Sequence, residues 1–172
     1  MSDIDLAPLD AILAEFAPQG RTALLPALHA TQSYYGYLPE PVAARVGQML
    51  GVPLADVYGV IDFYSMFYRQ PVGKTVIQVC GDPACALAGS DGVMQAICRH
   101  LDTSPGDITT DGAYTVERAP CLGLCEHAPA ALVGEIPLGR LDPAQAARIV
   151  QGVGTHPYGI IKGDVHLLTA GC

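Results

Sequence analysis

The stretch TVIQVCGDPACALAGSDGVMQAICRHL, residues 75–101, decides the fold of the second half of this chain. Its first six residues are compact and rich in β-branched side chains, which predicts a buried strand that ends at Cys80. Apolar residues then recur at helical spacing, and Ser90 is expected to cap this helix. The apolar stripe consists of Val93, Met94, Ile97 and Leu101. A strand followed by a helix predicts a small sheet with helices packed against it.

Three later segments extend this pattern. TTDGAYTVERA, residues 109–119, contains an Asp-Gly turn signal with a strand after it. AALVG, residues 130–134, is a second short strand candidate. LDPAQAARIV, residues 141–150, begins a helix with a capping box in which Asp142 is the N-cap and Gln145 the third helical residue. The predicted order is therefore β-α-β-β-α.

The residues before this unit are predicted to form a small helical bundle. Leu6, Leu9, Ile12, Leu13 and Phe16 mark one face of a first helix that Gly20 closes. A second helix is expected to end near Gly36 and a third at Gly51, as a left-handed cap residue; a shorter fourth covers 54–63. The fold class is mixed α/β (α+β), with a helical domain over 1–72, a sheet domain over 73–152 and an extended tail over 153–172.

Composition excludes several classes of function. The chain has 172 residues, of which 50% are hydrophobic and 15% charged, so it is globular rather than disordered. Its net charge is −8 and it has no basic run, which argues against a nucleic-acid partner. The acidic, amphipathic N-terminus resembles neither a secretory signal nor a transit peptide, and no apolar run approaches the ~18 residues of a membrane span. The sequence predicts a cytoplasmic protein, soluble or peripheral at the cytoplasmic face of a membrane.

Four of the six cysteines occur in two pairs, which mark a candidate metal or cluster site. Cys80 and Cys85 are separated by four residues, and Cys121 and Cys125 by three; 35 residues lie between the pairs. In a β-α-β arrangement, loops that follow two strands can meet at the same rim of a sheet. The four thiolates are then expected to converge there.

These four thiols have three possible interpretations. Structural zinc also takes four thiolates, although its knuckles favour tighter spacing than this. A [2Fe-2S] cluster needs two thiolates on each iron, from loops whose backbone N–H groups approach the sulfurs and stabilise the reduced state. Both loops contain the small residues that such an approach requires: Gly81, Pro83, Ala84, Pro120 and Gly123. The third interpretation, that the cysteines are unliganded or disulfide-bonded, does not explain the paired spacing.

A family resemblance favours the cluster. YYGYLPEPVAARVGQMLGVPLADVYGVIDFYSMF, VIQVCGDPACALAGSD and APCLGLCEHAPAALVG together resemble the thioredoxin-like [2Fe-2S] subunit family of NADH-linked oxidoreductases, over residues 5–150. That family includes the small iron–sulfur subunits of the NADH-oxidising arm of NADH:quinone oxidoreductase (respiratory complex I). It also includes small subunits of NAD-dependent formate dehydrogenases and NAD-linked hydrogenases. The segment ALAGSD is more similar to the complex I branch than to the formate dehydrogenase branch. The resemblance implies a helical domain followed by a thioredoxin-like ferredoxin domain.

The resemblance also implies the cofactor, its ligands and the partners. By position, Cys80, Cys85, Cys121 and Cys125 match the cluster ligands, with one pair expected on each iron. The chain is then a one-electron carrier without a substrate site of its own, at a potential of the order of −400 mV. The FMN and the NAD site are expected on a partner flavoprotein subunit of a larger redox complex. The alternatives are the equivalent subunit of a formate dehydrogenase or hydrogenase, a free-standing ferredoxin, and a zinc-stapled module without redox function.

Other candidate residues are assigned structural roles. Cys98 lies on an apolar helical stripe and is expected to be buried, whereas Cys172 is the last residue. His127 follows Cys125 closely, but four cysteines already complete the site. The sequence contains no P-loop, Rossmann fingerprint or nucleophile elbow, so it gives no sign that this chain binds NADH or flavin by itself.

Overall fold

A computed structural model describes residues 5–154, which belong to two compact units that divide between Lys74 and Thr75. The boundary expected from the sequence is 72–73. Within the described residues, no helix is both long enough and apolar enough to cross a membrane. The extended tail predicted over 153–172 lies outside the described residues from position 155 onward, and so does Cys172.

The first unit is helical, as predicted. Its helices are α1 (Ala7–Leu13), α2 (Leu24–Tyr35), α3 (Glu40–Leu50) and α4 (Leu54–Phe63). Gly36 and Gly51 end α2 and α3 in the left-handed conformation, with φ of 80° and 66°, because glycine lacks the Cβ that disfavours it. The apolar stripes of the four helices meet in one core, whose fully buried side chains include Leu9, Leu13, Leu28, Val42, Val46 and Val57.

The first helix is shorter than its apolar pattern predicts. It ends at Leu13, and a 3-10 segment over Ala17–Ala23 follows, with Gly20 at φ 56° and ψ −137° inside it. Pro18 has no N–H to donate and disfavours helical geometry at the residue before it, so the α-helix does not continue through this segment. The expectation that one helix runs through Phe16 to a stop at Gly20 is therefore wrong.

The second unit contains a mixed four-stranded sheet in the order β2-β1-β3-β4. The strands are β1 (Thr75–Cys80), β2 (Tyr114–Ala119), β3 (Ala131–Val133) and β4 (Ile136–Leu138). β1 runs parallel to β2 and antiparallel to β3. In the parallel pair Cys80 faces Ala119, so the chain leaves both strands at the same rim of the sheet.

The remaining helices are α5 (Pro83–Leu87), α6 (Ser90–Leu101) and α7 (Ala146–Val150). Side chains of β1, β2, α6 and α7 fill the second core, including Ile77, Val79, Val93, Ile97, Val116 and Ile149. Asp142 caps the turn that leads into α7, as predicted: its Oδ1 accepts a hydrogen bond of 2.9 Å from the backbone N–H of Ala144.

Three features of this unit differ from the sequence-based expectation. β4 was not predicted, because Pro137 lies in its middle; an edge strand tolerates proline since one of its sides makes no ladder hydrogen bonds. Cys85 lies inside the five-residue helix α5 rather than before the first helix. Gly89, with φ of 93°, occupies the N-cap position of α6, so Ser90 is the first residue of that helix and not its cap.

Candidate metal centre

The first cysteine pair is held by regular structure. Cys80 is the last residue of β1, and its N–H donates to the carbonyl oxygen of Ala130 at 3.0 Å. Cys85 sits on α5, and each of the two residues exposes only 2% of its surface. Leu124 and Ala130 bury them from the side of the second loop. This half of the site is therefore shielded from solvent and carried by a strand and a helix.

Burial and a neighbouring thiol raise the pKa of Cys85 to about 11. Burial is the larger cause, and a hydrogen bond with the Cys80 thiol adds to it, because both disfavour the thiolate. A backbone hydrogen bond from Ala130 acts in the opposite direction. A thiolate at this position needs a compensating positive charge, which iron supplies to a ligand sulfur.

The second pair lies in the loop that follows β2, and both cysteines are exposed. Cys125 opens a 3-10 turn over Cys125–His127, and its Sγ lies 3.5 Å from that of Cys121. Two thiolates on one tetrahedral ion with bonds of about 2.3 Å are about 3.8 Å apart, so this pair is spaced for one metal ion. The N–H of Gly123 points to Cys121 Sγ at 3.4 Å, from a backbone with φ of 74° that glycine adopts without strain.

The two thiol pairs lie close enough to influence each other electrostatically. The pKa of Cys125 is raised mainly by a hydrogen bond with Cys121 and by the negative charge of the Cys121 thiolate. Desolvation and the charge of Cys80 raise it further. The charge of Cys125 likewise contributes to the raised pKa of Cys85. Over residues 5–154, no three or more His, Cys, Asp or Glu side chains gather around a point suited to a single metal ion. In the described residues the four thiols are therefore arranged as two pairs and not as one tetrahedral set.

His127 lies next to the second cysteine pair in sequence, and Cys98 is the remaining cysteine among the described residues. His127 Nε2 lies 3.3 Å from Glu126 Oε1, while its Nδ1 is buried and has no hydrogen-bond partner among the described residues. Cys98 is buried in the core of the sheet unit with 8% exposure, as predicted, and burial raises the pKa of its thiol.

The structure adds two contacts that sequence reasoning did not identify. Arg118 lies against Gly81: a Cβ on Gly81 would come within 2.7 Å of its Cγ, Cδ and Nη1. Gly139 supports the second loop, because a Cβ there would come within 2.6 Å of His127 Cβ and 2.9 Å of its carbonyl oxygen. The glycines are visible in the sequence, but what each one faces depends on the pairing of β1 with β2 and on the path of the second loop.

Comparison with protein families gives a match over almost all of the described chain. The family described as thioredoxin-like [2Fe-2S] ferredoxin matches residues 9–154. Its extent covers both the helical unit and the sheet unit, so the match does not rest on the cysteine loops alone.

Similar proteins come from two kinds of redox complex. The chain is 40% identical over 136 residues to the HndA subunit of the NADP-reducing hydrogenase of Solidesulfovibrio fructosivorans, covering 79% of this chain and 80% of that protein. It is 37% identical over 134 residues to a subunit of the NADH-quinone oxidoreductase of Rhizobium meliloti (strain 1021), covering 78% and 80%.

A solved structure supports the same fold. The crystal structure of NAD+-reducing [NiFe]-hydrogenase in the air-oxidized state superposes with a TM-score of 0.64 at 27% sequence identity. The match covers 75% of this chain but only 22% of the hydrogenase chain, so this protein corresponds to a part of that longer one.

Proposed function

The chain belongs to the thioredoxin-like [2Fe-2S] ferredoxin family, and from this premise we propose that it is the electron-carrying subunit of a larger NADH- or NADPH-linked redox complex. Its cofactor is a [2Fe-2S] cluster, which supplies reversible one-electron transfer. The observation that supports the proposal is that β1 and β2 end at one rim of the sheet, with Cys80 as the last residue of β1 and the second cysteine pair after β2, and 3.5 Å between the sulfurs of Cys121 and Cys125.

We assign one pair of ligands to each iron. Cys80 and Cys85 hold the iron on the buried side, and Cys121 and Cys125 hold the iron on the exposed side. The hydrogen bond between the thiols of the first pair and the 3.5 Å separation in the second support this division. A mixed division would need two sulfurs from different loops to bind one iron, and would leave these close contacts unused.

The protein surroundings perform two tasks at this site. Leu124 and Ala130 exclude water from the first pair, which strengthens electrostatic interactions there. Backbone N–H groups, including that of Gly123 toward Cys121, offset negative charge on the sulfurs. The charge of the site becomes one unit more negative upon reduction, so these donors favour the reduced state.

The partner is proposed to be a flavoprotein subunit that binds FMN and NADH. This chain has no nucleotide-binding motif, so oxidation of the nicotinamide requires another protein, and a one-electron carrier suits the two single-electron steps of a reduced flavin. We place the chain in the cytoplasm, soluble or peripheral to a membrane, because its unpaired thiols suit a reducing compartment.

A hydrogenase-type complex is the second candidate for the host assembly. The hydrogenase subunit HndA is 40% identical to this chain, against 37% for the quinone oxidoreductase subunit, and the two matches cover equal shares of the relatives. The ligand set proposed above is the same in either complex. The difference lies in the acceptor that the partner serves.

The test is an EPR spectrum of full-length protein purified without oxygen and reduced with dithionite. The proposal predicts a red-brown protein with an S = 1/2 signal of about one spin per chain. A colourless, EPR-silent protein that contains zinc would refute the assignment. Addition of a reduced flavoprotein, prepared separately, should also generate the signal if the chain accepts electrons from flavin.

A further inference from the structure

We propose that Arg118 and Asp91 act on the reduction potential of the cluster site with opposite signs and nearly cancel, with the guanidinium favouring the reduced state and the carboxylate opposing it. The inference rests on the proposed function. It concerns positioning residues rather than ligands, since neither side chain is among the sulfur donors.

The position of Arg118 follows from the sheet. Arg118 pairs with Val79 in the parallel ladder, one residue before Ala119, which faces Cys80. The N–H of Gly81 donates to the carbonyl oxygen of Ala119 at 2.9 Å, which holds the residue after Cys80 against the end of β2. The strand pairing therefore brings Arg118 beside the backbone that leaves the first ligand.

The contact with Gly81 brings the cation beside the residue that follows Cys80. The Cγ, Cδ and Nη1 of Arg118 all lie within 2.7 Å of the point where a Cβ on Gly81 would be. Any larger residue at 81 would displace the arginine side chain. The absence of a side chain thus allows a permanent positive charge to lie over the residue that is covalently bonded to Cys80.

Asp91 fixes the guanidinium and partly neutralises it. Asp91 lies in the first turn of α6, and its Oδ1 accepts a hydrogen bond from Arg118 Nη2. The side chains of Arg118 and Asp91 are 52% and 63% exposed, so solvent screens the pair without removing its field at short range. Reduction adds one negative charge to the site, which the cation stabilises and the carboxylate destabilises.

The two members of the pair consequently predict opposite shifts. Arg118→Gln leaves the carboxylate uncompensated and lowers the midpoint potential, whereas Asp91→Asn leaves the cation uncompensated and raises it. The double variant should return close to the wild-type potential. We expect each single variant to change the ratio of reduced to oxidised chains at least threefold at the wild-type midpoint, which is about 28 mV for a one-electron couple.

Two further variants separate charge from structure. Gly81→Ala pushes the guanidinium away without altering any charge, and should lower the potential in the same direction as Arg118→Gln. Arg99→Gln removes an exposed cation from the last turn of α6, about 12 Å along the helix from Asp91 at ~1.5 Å per residue, and should leave the potential unchanged. The shifts of the single variants should shrink at high salt.

The experiment is an EPR-monitored redox titration of the full-length holoprotein and each variant, at low and high ionic strength. Opposite shifts for Arg118→Gln and Asp91→Asn, both larger than that of Arg99→Gln, support the proposal. Shifts of the same sign, or none beyond the Arg99→Gln value, overturn it while the wild-type signal keeps the proposed function intact. A wild-type protein without the S = 1/2 signal refutes the proposed function, and this inference with it.

Discussion

The two cysteine loops position the same number of proposed ligands by different physical means. Cys80 and Cys85 belong to a strand and a helix, and their thiols are almost entirely removed from solvent. Cys121 and Cys125 belong to an exposed loop whose shape depends on a positive-φ glycine and a short 3-10 turn. The first pair is positioned by the fold, while the second is positioned largely by local hydrogen bonds.

This difference predicts a division of roles between the loops. A buried pair that is fixed by strand and helix forms before metal binds, because its geometry is also the geometry of the core around it. The exposed pair has fewer packing contacts, so its order depends more on the metal that it binds. The buried loop is then the half of the site that the cluster-free protein already possesses.

Cysteine substitution should produce the largest effects and test this division directly. Serine at any of the four ligand positions should weaken or abolish the S = 1/2 signal. In the cluster-free protein, Cys80→Ser and Cys85→Ser should also lower the free energy of unfolding by about 1–3 kcal/mol, because each buries a hydroxyl group against apolar neighbours. Cys121→Ser and Cys125→Ser should change it by less than about 0.5 kcal/mol, since both sites are exposed. Urea unfolding measures the stability and EPR the cluster.

Cys98→Ser is the matched control for these variants. It also buries a hydroxyl, in the core of the sheet unit, yet it removes no ligand. It should therefore lose stability by about 1–3 kcal/mol and keep a full cluster signal. Equal destabilisation by all four ligand substitutions would contradict the contrast between the loops, and loss of the signal in Cys98→Ser would contradict the ligand assignment.

The sequence predicted the parts of the fold that depend on local pattern. β1 matches the six-residue segment rich in β-branched side chains, and α2, α3 and α4 end near the positions that their apolar stripes and glycines indicate. It failed at two prolines: Pro18, which lies between the first helical stripe and Gly20, and Pro137, which lies inside an edge strand. In both places proline changes the hydrogen bonding without changing the apolar periodicity.

The sequence indicates the four candidate ligands but not the difference in burial between the two pairs. The spacing of four cysteines after two strands indicates that the loops meet, and parallel pairing of β1 and β2 places them on one rim. Which pair is buried depends on the packing of Leu124 and Ala130 against Cys80 and Cys85, a contact between residues distant in sequence. Arg118 over Gly81 depends on the same long-range pairing.

Each cysteine loop makes a close contact with a glycine, Gly81 in the first loop and Gly139 beside the second. Substitution by alanine at these two positions should have unequal effects on stability. At Gly139 a Cβ would meet the backbone oxygen and Cβ of His127, which cannot move without shifting the turn that carries Cys125. At Gly81 its three nearest atoms would all belong to the side chain of Arg118, which can rotate away. Gly139→Ala should therefore cost about 1–3 kcal/mol in stability and reduce cluster occupancy, whereas Gly81→Ala should cost under about 1 kcal/mol and retain the cluster. Iron and sulfide content, with urea unfolding of both variants, measures the difference; a greater loss in Gly81→Ala would show that the first loop is the less tolerant one.

The subtlest consequence of the contrast is a difference in thiol reactivity once the cluster is removed. In cluster-free, reduced protein near neutral pH, a maleimide should label Cys121 and Cys125 at least tenfold faster than Cys80 and Cys85, because the first two are exposed and the latter two expose only 2%. The pKa of Cys85, raised to about 11 by burial and by its hydrogen bond with Cys80, lowers its thiolate fraction further, and the thiolate is the reacting form.

Cys98 is an internal reference for a buried thiol that binds no metal, so in urea its labelling should rise together with that of the first pair. Mass spectrometry of timed digests resolves the sites. Equal rates at all four ligand positions would mean that removal of the cluster opens the buried pocket, and that the first loop depends on metal as much as the second does.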